Sequence, residues 1–113
     1  MKQFRGIILP MGQRIVSVID TKHNQSYALP HWEKDRPADF NWGYSGTGVL
    51  DLARSILVDL LDINLEDFED TRAFYLKENL ISILDQNKGW TLSQEEIEGA
   101  ADKLLINEEK KNI

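Results

Sequence analysis

The sequence has no cysteine. That excludes a disulfide scaffold, a thiolate metal site and a thiol nucleophile together. Histidine is scarce, with two residues, too few for a histidine-rich centre. Long apolar runs are missing: nothing approaches the roughly 18 residues a membrane-spanning helix needs, and MKQFRGIILPMGQR lacks the plan of a secretory signal. Positive charge is also short, 13 basic residues against 19 acidic for a net charge of −6. Phosphate backbones are held by clustered Lys and Arg, so nucleic acid is a disfavoured partner. What is present is ordinary for a folded chain: 113 residues, 42% hydrophobic and 28% charged, a size and balance that suit one domain. These features predict a soluble cytoplasmic protein.

The first part of the chain reads as strands. Phe4–Leu9 is a short, mostly apolar run. Pro10-Met11-Gly12-Gln13 follows with turn chemistry, Pro fixing φ and Gly accepting positive φ. Arg14–Asp20 is rich in β-branched residues that suit a pleated surface. After the polar turn Thr21–Asn24, Gln25–Leu29 alternates, and Pro30 ends it. Consecutive short strands usually pair with their neighbours, so a three-stranded antiparallel meander is expected.

Residues 30–48 hold two of the three prolines, two of the three tryptophans and three of the seven glycines. Connections this long are uncommon in a small domain. Trp32, Phe40, Trp42 and Tyr44 predict an ordered loop pinned by aromatic rings. Helices follow. Val49, Leu52, Ala53, Ile56, Leu57, Leu60 and Leu61 recur at helical spacing over 49–62. Ala73, Leu76, Leu80, Ile83 and Leu84 make a second stripe over 67–85, widened by Phe74 and Ile81, with Asn87-Lys88-Gly89 as its stop. Ser93 and Glu96 form a capping box, and Leu92 and Ile97 a hydrophobic staple, at the start of a third helix. Strands followed by helices give an α+β fold: the meander packed against three amphipathic helices over residues 1–106, with 107–113 a charged, fraying tail. One sheet face would be covered, the other polar or a docking surface. Trp42 and Trp90 are expected to be buried anchors.

Three features bear on function. Gly43-Tyr44-Ser45-Gly46-Thr47-Gly48 runs into a helix N-terminus, whose free N–H groups suit anions. Its order matches neither the dinucleotide fingerprint nor a P-loop. It reads either as a turn with Ser45 or Thr47 as cap, or as a ligand-binding loop of Tyr44, Ser45, Gly46, Thr47 and Gly48. Ser45 lacks the second glycine of G-x-S-x-G, and its only nearby base would be His31. An enzyme therefore ranks third. The acidic residues Asp59, Asp62, Glu66, Asp67, Glu69 and Asp70 form either a solvated helix connection or a partner surface. An EF-hand fails for want of Gly at its sixth position and Glu at its twelfth. No cofactor and no metal is expected. The expected partner is a protein, with a homo-oligomer left open.

Two segments carry a resemblance. Phe40–Leu57, with its W-G-Y, Gly-rich turn and L-A-x-x-I-L helix, and Gly89-Trp90-Thr91-Leu92-Ser93-Gln94-Glu95-Glu96-Ile97 resemble an uncharacterised family of small bacterial, plasmid and phage proteins. The departure is Val49, where that family often has Pro, and it leaves the helix start open between Gly48 and its neighbours. The resemblance implies a compact α/β-type domain in a phage or mobile-element setting. It transfers no activity and no catalytic residue. The leading functional reading is a non-catalytic protein-interaction or accessory module, and the alternative is a small-ligand or anion-binding domain using the Gly43–Gly48 loop.

Overall fold

In the computed structural model, which describes residues 1–31, 40–62 and 70–103, the first three strands are β1 (Lys2–Ile8), β2 (Arg14–Asp20) and β3 (Gln25–Ala28). They pair antiparallel, as the meander requires. The β1–β2 turn closes through Leu9 N–H to the Gln13 carbonyl at 2.8 Å and Gly12 N–H to the Leu9 carbonyl at 2.8 Å. Gly12 sits at φ +88°, a backbone state open to Gly at little steric cost.

The sheet is wider than a meander. A fourth strand, β4 (Trp90–Ser93), pairs antiparallel with β1, giving the order β3-β2-β1-β4. Trp-Thr-Leu-Ser does alternate, with Trp90 and Leu92 buried and Thr91 exposed. It is too short to stand out, and its partner lies at the opposite end of the chain. Gly89 therefore does not end a helix. A Cβ there would lie 2.7 Å from the Gly6 carbonyl oxygen, so its smallness lets β4 reach β1.

Helix α1 (Thr47–Leu61) begins after an extended Gly46, and no side chain caps it. The expected caps, Ser45 and Thr47, do not serve. Asp62 ends the helix in the left-handed state at φ 51°. The apolar stripe is buried from Val49 to Leu57 and half-buried at Leu60 and Leu61, and the polar Asp51 and Ser55 are buried with it. The Ser55 hydroxyl donates to the Asp51 carbonyl at 2.8 Å, satisfying itself within the helix.

Helix α2 (Asp70–Asn79) is shorter than the expected 67–85. Leu80 leaves helical geometry, and a single 3₁₀ turn, Ile81–Ile83, follows. That change of pitch turns the stripe: Ile81 is fully buried and Ile83 is 72% exposed. Asn79 Nδ2 donates to the Ala100 and Lys103 carbonyls at 3.0 and 2.6 Å, fastening α2 to the end of α3 (Gln94–Ala101).

Helix α3 starts as the sequence indicates. Ser93 Oγ accepts from Glu96 N–H at 3.1 Å, and Glu96 Oε1 accepts from Ser93 N–H at 3.1 Å. Ser93→Ala would orphan one helix N–H and is expected to cost about 1 kcal/mol. Urea unfolding followed by circular dichroism checks this, and an unchanged midpoint counts against the cap.

The helices lie on one face of the sheet. Phe4, Val18, Leu52, Ile56, Leu57, Leu76 and Ile97 form the fully buried centre. Residues 104–113, the expected tail among them, and 32–39, with Trp32 of the expected ordered loop, lie outside the described residues.

Candidate functional site

Strand parity sends Lys2 to the same face as Phe4, and Tyr27 to the same face as Leu29. Helical spacing puts Asp59 below Leu52, Ser55 and Ile56, on the face that meets the sheet. The three side chains converge. Lys2 Nζ donates to Asp59 Oδ1 at 2.9 Å and to the Asp59 carbonyl at 2.8 Å. The Tyr27 hydroxyl shares its proton between Asp59 Oδ1 and Oδ2, at 2.9 and 2.8 Å. The Lys2 and Asp59 side chains are 21% and 11% exposed.

These contacts set the protonation states. Burial pushes the Tyr27 phenol up, and its bond to the Asp59 carboxylate adds to this, against the opposing Lys2 ammonium. Burial pulls the Lys2 ammonium down, but its bonds to Asp59 and Tyr27 and the Asp59 charge outweigh this and leave it raised. Both shifts keep the proton on the Lys2 ammonium and on the Tyr27 phenol at neutral pH. The cluster is a closed strut joining β1, β3 and α1. A phenol held protonated is no general base, and the ammonium is already neutralised.

Beside the strut lies a cavity of about 840 Å³ between β3 and α1, with Lys22, His23, Gln25, Pro30 and Val58 among its walls. A second pair orders its rim. Asp20 Oδ2 lies 2.8 Å from His23 Nδ1, and Asp20 Oδ1 accepts the Lys22 N–H at 3.1 Å. The His23 ring bond holds the Asp20 carboxyl below its ordinary value. Burial opposes this, and the His23 and Lys22 backbone N–H groups reinforce it.

A carboxyl with a depressed folded pKa stabilises the fold above its unfolded pKa, about 4, and loses that contribution as pH falls through the folded value. Wild type should therefore melt above Asp20→Asn near pH 6, and the gap should close as the pH drops below about 4. Parallel melts across that range check the sign. A gap that widens on acidification would be incompatible with the pairing.

The Gly-rich loop lies at the other end of α1. Ser45 and Thr47 are exposed, and Tyr44 is 39% exposed. Gly46, with Gly48 beyond it in the first turn, leads into a helix with no side-chain cap. His31 is not drawn to Ser45. It stacks on Phe40, with centroids 4.9 Å apart and planes 8° from parallel.

The acidic stretch separates. Asp59 turns inward to the strut, Asp62 is the exposed α1 cap, and Asp70 begins α2. Glu66, Asp67 and Glu69 lie outside the described residues. Among the described residues, no three His, Cys, Asp or Glu side chains gather as metal ligands would.

The sheet's outer face is a further feature. Gln3, Arg5 and Ile7 on β1 face the same side as Ile15, Ser17 and Ile19 on β2. Ser26 and Ala28 extend that face on β3, and Thr91 does so on β4. These positions are exposed or half-buried, and no described helix covers them. In a chain with 19 acidic residues, none of the described ones lies on this face. Among the described residues Arg5 is its single charge, beside Ile7 and an Ile15 that is 38% exposed. Strand parity groups these side chains on one face, but Ile15-Val16-Ser17-Val18-Ile19 is apolar on both sides of the strand, so the sequence does not say which side the helices take.

A four-stranded antiparallel sheet with helices on one face and, among the described residues, none on the other defines an α+β domain. The chain belongs to a family of unknown function, DUF6166, whose model matches residues 4–103. No curated protein and no solved structure matches it. No helix among the described residues is long and apolar enough to cross a membrane.

Proposed function

We propose that this protein is a non-catalytic interaction or accessory module that binds a host or phage protein in the cytoplasm, within a mobile-element setting. The resemblance of residues 40–57 and 89–97 supports the setting. The observation that carries the interaction reading is the open sheet face. Protein interfaces are depleted of charge at their cores and enriched in Arg, and this face combines three isoleucines with one arginine and no carboxylate. A partner with a small apolar patch and a carboxylate opposite Arg5 fits it. The acidic stretch is a secondary contact for a basic partner through Asp62, Glu66, Asp67, Glu69 and Asp70, while Asp59 serves the strut.

The test is capture from a bacterial lysate by the tagged protein and by Arg5→Glu/Ile15→Thr, with mass spectrometry. The double variant should lose the partner and still melt close to wild type, because both side chains lie on the uncovered face. Undiminished capture by the variant would overturn the assignment. The second reading rests on the uncapped α1 N-terminus at Gly46. Titration with inorganic phosphate separates the two: amide NMR shifts confined to residues 45–50 favour the anion site, and their absence removes it.

A further inference from the structure

The sheet also ends at β3 in an edge that no strand or helix among the described residues covers. Leu29 N–H donates to the Val16 carbonyl at 2.9 Å, continuing the ladder that sets Val18 against Tyr27 and Asp20 against Gln25. In an antiparallel pair the residues that exchange hydrogen bonds alternate with those that do not. Leu29, Tyr27 and Gln25 therefore turn their backbone groups toward β2. Ser26 and Ala28 turn theirs outward, away from the sheet. Both residues are exposed, and neither has a hydrogen-bond partner on that side among the described residues.

Natural edges are blunted by charge, proline or a bulge. Here the outward residues are small and uncharged, and Pro30 comes only after the strand. Gln25 and Tyr27 of this edge strand, with Pro30 just beyond it, line the cavity of about 840 Å³ on the side of α1. One of its walls is fixed, because Tyr27 is tied to Asp59. At one end stands exposed Lys22, whose ammonium has no ion-pair partner among the described residues.

We propose that the edge of β3 binds an extended peptide segment of another protein as a fifth strand, with one inward side chain entering the cavity and a carboxylate near it meeting Lys22. Strand addition draws affinity from main-chain hydrogen bonds and specificity from a pocket beside the edge, and both stand side by side here. A second copy of the chain fits less well. The register that joins the outward groups of Ser26 and Ala28 sets Tyr27 opposite its counterpart. Each Tyr27 is already tied to its own Asp59, so both cavities would stay unfilled.

The probe is a displayed library of random seven-residue peptides selected on the full-length protein. Selected peptides should carry an acidic residue beside an alternating pattern. Their binding should slow amide hydrogen exchange at Ser26 and Ala28. Ala28→Pro removes one outward N–H at an edge position that tolerates proline and should weaken binding by about tenfold or more. Ser26→Pro serves as the second variant if Ala28→Pro fails to fold. Lys22→Glu should reverse the acidic preference. Arg5→Glu/Ile15→Thr should bind these peptides normally, so failure here is distinguishable from failure of the open-face reading. The proposal is overturned if no peptide is selected, if a folded proline variant binds as well as wild type, or if exchange slows elsewhere. Protection of Ser26 and Ala28 without peptide, together with a dimer in sedimentation, would assign the edge to a second copy instead.

Discussion

Trp42→Ala should leave the protein marginal or unfolded at room temperature. The indole is fully buried and is held from three directions. Trp90 meets it edge-on, with centroids 5.4 Å apart and planes at 87°, the arrangement favoured by the ring quadrupole. The Arg14 guanidinium sits 4.6 Å from its centroid and donates onward to the Gln86 carbonyl at 2.6 Å. The indole N–H donates to the Lys88 carbonyl at 3.0 Å. One ring therefore joins β2, β4 and the segment between the 3₁₀ turn and β4. Gly43, next along the chain, adds an N–H bond to the Ile81 carbonyl at 3.1 Å.

Removing a buried aromatic typically costs about 3–5 kcal/mol, against a total of about 5–15 kcal/mol for a natural domain. Trp42→Phe keeps most of the apolar volume and drops the N–H, so it should cost clearly less. Urea unfolding of both variants by circular dichroism gives the ordering. An alanine variant with a near-wild-type midpoint would make the aromatic loop something other than the anchor of the fold.

Trp42 also shows which parts of the fold the sequence makes legible. Its burial followed from bulk and neighbourhood alone. Local signals were equally good for β1–β3, where β-branched runs alternate with turn residues, and for the Ser93 capping box, whose partners lie three residues apart. β4 escaped because its evidence is non-local: four residues become a strand only when Gly6 and Gly89 let them lie against β1. The end of α2 escaped because Leu80 and Ile83 fit a helical stripe perfectly well. What breaks the stripe is Leu80, whose backbone leaves helical geometry before the 3₁₀ turn Ile81–Ile83. Asp59 looked like one carboxylate in a solvated run. Its selection by Lys2 and Tyr27 depends on three elements meeting, which no spacing rule encodes. The open sheet face is not legible as an alternation, because residues 4–9 read as an apolar run and 14–20 as β-branched, and its two sides become distinct only once the helices have chosen one.

The substitution that tests the β1–β4 seam is Gly6→Ala, and its sign should depend on Trp90. Gly6 and Trp90 are directly opposite in the register. A Cβ on Gly6 would lie 2.3 Å from the indole Cε2 and 2.4 Å from its Nε1. The ring thus lies flat on the Gly6 backbone. Its N–H is buried without a hydrogen-bond partner, so stacking and the edge contact with Trp42 hold it in place. An added methyl must lift the whole indole, break that edge contact and push apart the strand pair. Overpacking of this kind costs about 1–3 kcal/mol, and the displaced Trp90–Trp42 contact adds about 0.5–1.5 kcal/mol. In a Trp90→Leu background the obstruction is gone. Alanine then replaces a residue that weakens strand interiors by roughly 0.5–1 kcal/mol, so Gly6→Ala should be neutral or stabilising. A double-mutant cycle from denaturant midpoints measures the coupling, which should be large and compensating for residues in direct contact. Equal destabilisation by Gly6→Ala in both backgrounds would mean that glycine is needed there for a reason unrelated to the indole.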